Sequence, residues 1–461
     1  MFQAFLDFFN WALVFMMGVS VILLLYKIVY HIYGLFPQKQ YPEAKKQHKF
    51  AILIPARNES SVIEGLLKSL NEQDYPKELF DSYVIVESSN DPTVKICEKY
   101  ENVTAFVRPN LNVKSKGGAL DQILKHLIET KKAFEYEAYF IFDADNVAKS
   151  NFLTEMNKTF DCGFEMGLSY RNAKNWNDGW IASCSALTFI MFNTFQNKCR
   201  AKFNKNVLVS GTGFYIAAHV LHELGGWPFQ TLTEDFELSN YAVLNNIKGA
   251  YNENTEFFDE QPKTLKISWN QRVRWCKGHM QVSKKYQKKL LKSSLVSTEN
   301  RLGKLEYGLN ILPIATPIAT VIVYSLITLI MGIVGIIIKV GKPLWQLALF
   351  NSATALLVTY IFFVCYTAAL LFCERKHINI TLKNSIKTSF LNPIFMVLYL
   401  PIYITALFKK EVKWKPITRS VDLNKETKPR EYSELILDGE QTDMPTNEDV
   451  SKDLDAEFVS K

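Results

Sequence analysis

Apolar segments of membrane length lie near both ends of this 461-residue chain, and they frame a long polar stretch. The first runs from about Phe8 to Ile32, and two more run from Ile311 to Val340 and from Leu344 to Cys373. Each is long enough to span a bilayer core, which takes about 20 helical residues. The first has no small-residue cleavage site at its end, so we expect a retained anchor rather than a signal peptide. The polar stretch must then fold at a membrane surface.

A fourth apolar segment, Leu391–Phe408, leaves the membrane topology open. Lysines follow the first segment and place its C-terminal end in the cytoplasm by the positive-inside rule. Four lysines after Phe408 favour the cytoplasm as well, although a fourth full crossing would put them outside. The segment could span, re-enter or lie at the interface. Its 18 residues and its two prolines, Pro393 and Pro401, favour partial crossing.

The net charge of +7 is the sum of two unlike parts. Residues 421–461 carry a net charge of −7 and lack periodicity, which is typical of a disordered tail. The remaining chain is strongly basic, which suits anionic lipid headgroups and nucleotide phosphates, and no nucleic-acid-binding module is visible. The seven cysteines form no CxxC pair, which favours a reduced, cytosolic domain without a zinc site.

Strands and helices alternate through the first part of the polar stretch. The predicted strands are Phe50–Ile54, Tyr83–Val86, Thr104–Val107 and Tyr139–Phe142. This order predicts an α/β fold with a largely parallel sheet covered on both faces, with ligands beyond the carboxyl ends of the strands. The predicted units are an anchor (1–36), a catalytic domain (37–280), a basic interfacial helix or linker (281–310), a membrane region of two or three helices (311–408) and a tail (409–461).

Asp143-Ala144-Asp145 directly follows a predicted buried strand. Alternate residues of an extended segment point the same way, so both carboxylates can face one site. They repel each other unless a cation lies between them, and Mg²⁺ or Mn²⁺ bound to a nucleotide diphosphate would supply it. A solvated turn is the alternative for such a motif in isolation, but its position and the motifs that follow favour donor and metal binding.

Thr233-Glu234-Asp235 precedes a helical stretch, Phe236–Leu244. Thr231 or Thr233 is the predicted N-cap, with acidic residues in the first turn. Such a helix start is also a rigid place for a carboxylate. If the chain transfers a sugar with inversion at the anomeric carbon, it needs a base that takes the proton of the attacking acceptor hydroxyl. Asp235 is the candidate for this base.

Gln271-Arg272-Val273-Arg274-Trp275 places Gln271 and Arg274 on one face of a predicted helix, with Trp275 beside them. Arg274 could pair with a diphosphate, and Trp275 could stack on a sugar ring. The alternative is an interfacial helix whose Trp and Arg only anchor in lipid headgroups. His279, one turn on, is a weaker candidate for reaching the metal.

Two glycine-containing turns complete the candidate site. Lys116 and the glycines after it open a helix, where a phosphate could bind. Gly211 lies in a Ser-Gly-Thr-Gly-Phe turn that would allow close backbone approach and could line the acceptor pocket. A plain solvated turn is the alternative for each.

Together these motifs, with Pro55-Ala56-Arg57-Asn58-Glu59 and Asp259-Glu260-Gln261-Pro262, make the chain resemble the membrane-bound family 2 glycosyltransferases. That family includes cellulose, hyaluronan and poly-N-acetylglucosamine synthases, and the resemblance covers about residues 50–280. It implies a GT-A fold, a UDP-sugar donor, a divalent metal and inversion at the anomeric carbon.

The resemblance also implies residue roles. Asp145 would hold the metal, Asp143 would contact the metal or nucleotide, and Asp235 would be the base. The expected donor-binding residues are Pro55, Ala56, Arg57, Glu59, Glu87, Lys116 and Asp143, and those expected to bind acceptor and diphosphate are Gly211, Glu234, Gln271, Arg274 and Trp275. One departure is that Glu87 stands where the family usually has an aspartate, so either Glu87 or Asp91 could contact the uridine.

The leading hypothesis is therefore a multi-pass enzyme of the cell membrane with a cytoplasmic catalytic domain. It would add glucose or N-acetylglucosamine from a UDP-sugar to a growing β-linked polysaccharide, with Mg²⁺ or Mn²⁺. The alternative is single transfer to a membrane lipid or lipid carrier. The few membrane helices leave room for a homo-oligomer or an accessory secretion protein, and the Lys, Asn and Ile content is typical of an AT-rich bacterium.

Overall fold

The computed structural model of the chain describes residues 29–203, 205–309 and 342–410, with isolated positions in the first and second apolar segments. The remainder of those two segments and the tail beyond residue 410 lie outside the described residues. The strands are β1 Phe50–Pro55, β2 Phe80–Val86, β3 Val103–Val107, β4 Ala138–Ile141, β5 Val147–Ala148, β6 Met166–Ala173, β7 Phe214–Ala217 and β8 Gly249–Asp259.

The helices of the described residues cover the sheet and continue towards the C-terminus. They are α1 Ile63–Asn71, α2 Pro92–Cys97, α3 Lys116–Glu129, α4 Phe152–Asp161, α5 Trp180–Phe192, α6 Cys199–Lys202, α7 Ala218–Glu223, α8 Glu234–Leu244, α9 Leu265–Val296, α10 Arg301–Leu309, α11 Lys342–Cys373, α12 Leu382–Val397 and α13 Tyr399–Phe408. A π-helical stretch, Asn193–Lys198, joins α5 to α6.

The sheet has eight strands in the order β3-β2-β1-β4-β7-β6-β8-β5. Strands β3, β2, β1 and β4 are parallel, as the alternation of strands and helices predicts. The expectation of a largely parallel sheet is wrong for the other half, because β7 runs antiparallel to β4 and β6, and β5 runs antiparallel to β8. A short buried strand such as β7 has the same composition in either direction, so its sequence does not encode its direction.

The direction of β7 determines the position of the glycine-containing turn that precedes it. Phe214, its first residue, pairs with Ile141, the last residue of β4. The glycine turn before β7 therefore lies beside Asp143, at the carboxyl edge of β4. Strand β8 runs parallel to β6, which brings Asp259 to this edge as well.

Two apolar layers hold the sheet between helices. Leu53 of β1 packs with Leu120, Ile123 and Leu124 of α3 in one layer. Neighbouring β1 residues, Phe50, Ile52 and Ile54, pack on the opposite face with Ile63, Leu66, Leu67 and Leu70 of α1. Alternate strand residues point to opposite faces, and spacings of three and four keep the α1 side chains on one face. Both faces are thus buried, and the strand ends are left to carry polar groups.

Two stretches among the described residues are long and apolar enough to cross a bilayer, Leu356–Cys373 in α11 and Leu382–Phe408 in α12 and α13. The second begins nine residues before the predicted segment, because Thr381 caps it by accepting a hydrogen bond from the Asn384 amide. The predicted boundary at residue 280 falls inside helix α9, which continues to Val296.

Candidate active site

A large cavity of about 1,440 Å³ opens at the carboxyl edge of the sheet. Fourteen of the candidate site residues from the sequence line it. They are Pro55, Ala56, Arg57, Glu59, Glu87, Lys116, Asp143, Asp145, Gly211, Glu234, Asp235, Gln271, Arg274 and Trp275. Residues that are more than 200 positions apart in the chain therefore share one space, while their individual roles stay predictions.

The ends of β1 and β2 form the wall of the cavity around Glu87. The Ala56 amide donates to the Ile85 carbonyl at 2.9 Å, which fixes the loop after β1 beside the end of β2. The Glu87 carboxylate lies 3.1 Å from Arg57 Nε and 3.6 Å from Nη1 of Arg108. Two guanidinium groups therefore hold this carboxylate in place, and Arg108 is itself buried.

Asp91, the other candidate for the uridine contact, has a different position. Its carboxylate accepts a hydrogen bond from the Thr93 amide at 2.9 Å and so caps α2. It is not among the residues that line the cavity. The geometry therefore favours Glu87.

The two aspartates after β4 are held by their backbone and by their neighbours. The Asp143 amide donates to the Thr212 hydroxyl at 2.8 Å, which joins this loop to the turn before β7. The Asp145 side chain is buried, and its carboxylate accepts from the Glu260 amide at 3.4 Å and from Asn146 Nδ2 at 3.3 Å.

Lys116, the first residue of α3, supplies a positive charge at this edge. Its Nζ lies 2.5 Å from Asp143 Oδ1 and 2.7 Å from the carbonyl oxygen of Gly211. Burial alone would lower the pKa of Lys116, but the carboxylates of Asp143, Glu234 and Asp235 outweigh it, so its pKa is raised. The lysine therefore stays charged at neutral pH, where it can contact a phosphate or balance the aspartates.

The donor atoms at this edge fit Mg²⁺ or Mn²⁺. Asp143 and Asp145 offer hard oxygen ligands to the same cavity. Within the described part of the chain, no group of three His, Cys, Asp or Glu side chains forms a metal cage. Mg²⁺ in nucleotide sites is typically held by one or two carboxylates together with substrate phosphates, and this arrangement matches that pattern.

His279 lines the same cavity from α9. Its ring packs against Phe236 with the centroids 4.2 Å apart. Burial lowers the pKa of His279 to about 4, so the imidazole is neutral at physiological pH. A neutral imidazole can be a metal ligand, but the packing on Phe236 also explains its position without one.

Helix α8 brings Glu234 and Asp235 into the cavity at its first turn. Burial and the neighbouring Asp235 raise the pKa of Glu234 to about 7, against the opposing effect of Lys116 and Arg274. Burial also raises the pKa of Asp235, which the Phe236 amide, Lys116 and Arg274 oppose. Within the described residues, neither carboxyl has an ion-pair partner inside 4.0 Å, although Lys116 and Arg274 are near enough to oppose the rise in both pKa values.

The prediction that a threonine hydroxyl caps α8 is wrong, because no such hydrogen bond forms. Thr233 occupies the N-cap position but its side chain caps no amide, and its hydroxyl is buried without a hydrogen-bond partner. Helix α9 approaches too closely, since a Cβ atom at Gly278 would lie 2.5 Å from Thr233 Oγ1. Instead, the Glu237 carboxylate accepts from the Thr231 amide at 3.0 Å.

Gly211 lies between the Asp143–Lys116 pair and Asp235. It has a φ of +94°, a backbone conformation that favours glycine. A Cβ atom there would lie 3.8 Å from Asp235 Oδ2, while the Gly211 carbonyl accepts from Lys116. The turn therefore lies in van der Waals reach of both the Asp235 carboxylate and the Arg171 guanidinium.

Helix α9 carries the remaining predicted residues along one wall. Arg274 Nη1 donates to the Leu232 carbonyl at 2.9 Å and so holds the loop that precedes Glu234. Trp275 is partly exposed to the cavity and packs edge-on against Phe189, with the ring centroids 5.9 Å apart. Phe189 therefore supports the indole, and Gln271 lies one turn before it.

Some residues of the site were not predicted. Arg171 of β6 donates to the Asp259 carboxylate at 3.0 Å and also to the Ser210 carbonyl, which fixes the glycine turn from the other side. Tyr399 and Tyr403 of α13 also line the cavity. A charged residue inside an otherwise buried strand was a usable signal for Arg171, whereas the tyrosines were hidden in an apolar segment.

The sequence model of the family described as "Glycosyltransferase like family 2" matches residues 48–278, half of the chain. The chain belongs to this family. The matched residues contain the sheet and every predicted site residue, and they leave the later membrane segments outside.

The names of some relatives of this glycosyltransferase state an activity. A beta-monoglucosyldiacylglycerol synthase of Nostoc sp. is 25% identical over 302 residues, which are 62% of this chain and 60% of that protein. A probable glucomannan 4-beta-mannosyltransferase of Oryza sativa is 25% identical over 260 residues, 54% of this chain and 45% of that protein. The chain thus spans about half of the length of the curated relatives it matches.

Among solved structures, the glycosyltransferase is similar to the mannosyltransferase PcManGT from Pyrobaculum calidifontis, in complex with GDP-Man and Mn²⁺. The TM-score is 0.50 at 15% identity, covering 84% of this chain and 95% of PcManGT. At that identity the likeness shows the fold alone, a mixed α/β fold of the GT-A type.

Proposed function

We propose that this protein is an inverting glycosyltransferase that moves glucose or N-acetylglucosamine from a UDP-sugar to the end of a growing β-linked polysaccharide. One observation carries the proposal. A carboxyl pair with raised pKa values, Glu234 and Asp235, shares a cavity with a set of paired charges at the strand ends. The first suits a base and the second suits a nucleotide diphosphate.

The strand-end side of the cavity would bind the donor. Glu87, held between two arginines, would accept hydrogen bonds from the uracil or ribose, and Lys116 would contact the diphosphate. Asp143 and Asp145 would hold Mg²⁺ or Mn²⁺. When bound, that ion would neutralise charge on the departing diphosphate.

Asp235 would act on the acceptor side. As an acceptor hydroxyl forms its new bond to the anomeric carbon, Asp235 takes the hydroxyl proton and the bond to the diphosphate breaks. One displacement inverts the configuration and gives a β-linked product from an α-linked donor. The raised pKa of Asp235 supports this role, because burial makes its carboxylate bind a proton more readily.

Trp275 favours a glycan as the acceptor. An aromatic face inside a cavity can stack on a sugar ring, and Phe189 supports the indole from its edge. Gln271, one turn away, could donate to the same sugar.

A lipid acceptor is the second candidate, and one observation favours it. Tyr399 and Tyr403 line the cavity from α13, which belongs to an apolar segment. An acceptor hydroxyl could therefore arrive from a bilayer, and the Nostoc relative is named for a glycolipid product, a beta-monoglucosyldiacylglycerol.

Product analysis would test the proposal. The protein in vesicles is supplied with Mg²⁺ and each of several radiolabelled UDP-sugars, and released UDP, polymer and glycolipid are measured separately. Polymer retained with the membrane supports the proposal, and label found only in a glycolipid supports the second candidate. UDP-sugars that give no UDP release above that of Asp235→Asn, with a glycan or a lipid acceptor present, would refute the proposed reaction.

A further inference from the structure

The loop between α11 and α12 is fixed on the catalytic domain. Glu374 accepts hydrogen bonds from the Tyr170 hydroxyl at 2.9 Å and from the Thr194 hydroxyl at 2.7 Å. The His377 carbonyl accepts a hydrogen bond from Asn172 Nδ2 at 2.6 Å, and the His377 imidazole stacks on the Tyr170 ring. The C-terminal end of α11 therefore lies on the same side of any membrane as the sheet.

The next segment, Leu382–Phe408, comprises α12 and α13 and contacts the catalytic domain at its start. Asn177, just before α5, accepts from the Thr381 amide at 3.0 Å and from Asn384 Nδ2 at 2.9 Å. These hydrogen bonds hold the first turn of α12 to the loop that follows β6.

The middle of the segment packs against helix α9 and is hydrogen-bonded to it. Arg272 is buried, donates to the Phe395 carbonyl at 3.0 Å, and places its guanidinium 3.9 Å from the centre of the Phe395 ring. The same group lies 5.0 Å from the ring centre of Tyr399. Arg272 thus joins the junction of α12 and α13 to the helix that carries Gln271 and Trp275.

The end of the segment also lies on α9. Ile402 and Ala406 are fully buried against Val273 and Cys276. Lys277 Nζ donates to the Ala406 carbonyl at 3.3 Å. Start, middle and end of the segment therefore all touch the catalytic domain.

These contacts conflict with a membrane crossing. A helix of 27 residues is about 40 Å long at 1.5 Å per residue, and a bilayer core is about 30 Å thick. If the segment crossed, one end would be separated from the catalytic domain by the thickness of the membrane. The contacts at both ends leave no such separation.

The outward face of α12 is apolar, and its inward face is partly polar. The inward side chains Thr388, Ser389 and Asn392 are buried. The outward side chains recur every three or four residues and are exposed by 43% to 77%; they are Leu382, Ile386, Phe390, Ile394 and Val397. This stripe is the reverse of that expected for a helix in water, and it suits contact with lipid.

The charges around the stripe complement an anionic membrane surface. Six lysines and arginines and no acidic residue occur from Arg375 to Lys410. Lys383 and Lys387 alternate with the stripe, and Lys409 and Lys410 follow α13. Basic side chains next to an apolar stripe are typical of helices that bind at the headgroup level.

We propose that Leu382–Phe408 lies in the plane of the membrane on the side of the catalytic cavity and does not cross it. Its apolar stripe contacts the acyl chains of an anionic leaflet, and its lysines contact the headgroups. The lysines after Phe408 then stay on the cytoplasmic side, which removes the conflict that a fourth crossing creates with the positive-inside rule.

Spin labels on the stripe would measure this orientation. Cysteines replace Leu382, Phe390 and Val397 one at a time in a chain whose exposed Cys162, Cys365 and Cys373 are alanine. The full-length protein is placed in vesicles of phosphatidylcholine and phosphatidylglycerol. Immersion depth follows from the relative accessibility of each label to oxygen and to a water-soluble nickel complex, with Leu357→Cys in α11 as the deep reference.

We expect the three depths to agree within about 5 Å and to lie near the headgroup boundary. A crossing helix would separate positions 382 and 397 by roughly 20 Å of depth, at about 1.5 Å per residue. That gradient, or a middle position much deeper than both ends, would overturn the proposal. Labels that meet water but no lipid would overturn it as well, and would point to a protein partner on the stripe.

Thiol labelling in intact cells gives an independent test. With a membrane-impermeant maleimide and the same background, Lys410→Cys should react only after the cells are permeabilised. Lys342→Cys, at the opposite end of α11, is the matched control that should react in intact cells. Reaction of position 410 in intact cells at the level of position 342 would overturn the proposal, and if position 410 reacts in neither state the depth measurement decides.

Discussion

The two ends of the cavity are built in different ways and hold their charges differently. At the proposed donor end, strand termini present carboxylates that already have basic partners, as in Glu87 with Arg57 and Asp143 with Lys116. At the proposed acceptor end, a helix presents Glu234 and Asp235, whose pKa values are raised. The difference suggests that one end is prepared to exchange counter-ions with a charged ligand and the other to accept a proton.

Removal of the proposed base should have the largest effect. Asp235→Asn should lower kcat by roughly 100-fold to 10,000-fold, the usual contribution of a general base, with little change in UDP affinity. Rates of UDP release and calorimetric UDP binding would be measured together. Asp178→Asn, outside the cavity, is the control, and kcat within a few-fold of the parent for Asp235→Asn would remove this residue from its role.

Loss of the metal site should come next. Asp145→Asn should lower activity by about 100-fold or more, because a bound metal ion supplies several kcal/mol of charge stabilisation. Treatment of the parent with EDTA should have a similar effect that added Mg²⁺ or Mn²⁺ reverses. Unchanged activity in EDTA would contradict a metal-dependent donor end.

The donor wall gives a comparison of two neighbouring acids. Glu87→Gln should raise the KM for the UDP-sugar by roughly 10-fold, since hydrogen bonds to charged groups contribute about 1.5 to 3 kcal/mol. Asp91→Ala should leave that KM unchanged and lower the free energy of unfolding by about 1 kcal/mol, because it removes a helix cap. The reverse outcome would assign the nucleotide contact to Asp91.

Substitution of Trp275, on the proposed acceptor wall, should have a smaller effect on kinetics. Trp275→Leu should raise the KM for a glycan acceptor by roughly 3-fold to 10-fold, the effect of losing about 0.5 to 1.5 kcal/mol of aromatic contact. The KM for the UDP-sugar should not change, and Trp275→Phe should restore most of the acceptor affinity. An effect confined to the donor would place Trp275 at the other end.

The pH dependence should show the smallest change. A base acts in its deprotonated form, so activity should be present above the pKa of Asp235 and be lost as the pH falls through it. Because burial raises this pKa, the acid limb of kcat/KM should lie above the usual range for aspartate. Lys116→Met removes a charge that lowers this pKa, so it should move the limb to higher pH; a limb that moves down would contradict the coupling.

The sequence located the residues proposed for the donor better than the surroundings of the proposed base, for a physical reason. The ends of β1, β2 and β4 follow short buried runs, and the carboxyl ends of parallel strands meet at one edge, so Glu87 and Asp143 could be placed at that edge from the pattern. The direction of β7, which brings Gly211 beside Asp235, depends on tertiary pairing that periodicity does not encode. Tyr399 and Tyr403 were not predicted because they lie in an apolar segment whose contacts with the cavity are also tertiary.

The membrane segments show the same limit. Hydropathy identified Leu391–Phe408 as apolar but could not say what it touches. The contacts of Phe395 and Ala406 with α9 come from side chains that are far away in the chain. A segment of this composition is equally suited to crossing a bilayer or lying on it until its neighbours are known.

The ion pair of Lys116 and Asp143 has a consequence for the order of events in turnover. An ammonium group already balances the carboxylate that a metal would need, so a bare divalent ion must compete with an attached cation. An ion that arrives with a nucleotide would have an advantage, since the phosphates would offer the Lys116 ammonium group a new partner in place of Asp143. Free Mg²⁺ should accordingly bind weakly to the resting enzyme, and donor and metal should enter and leave as a unit.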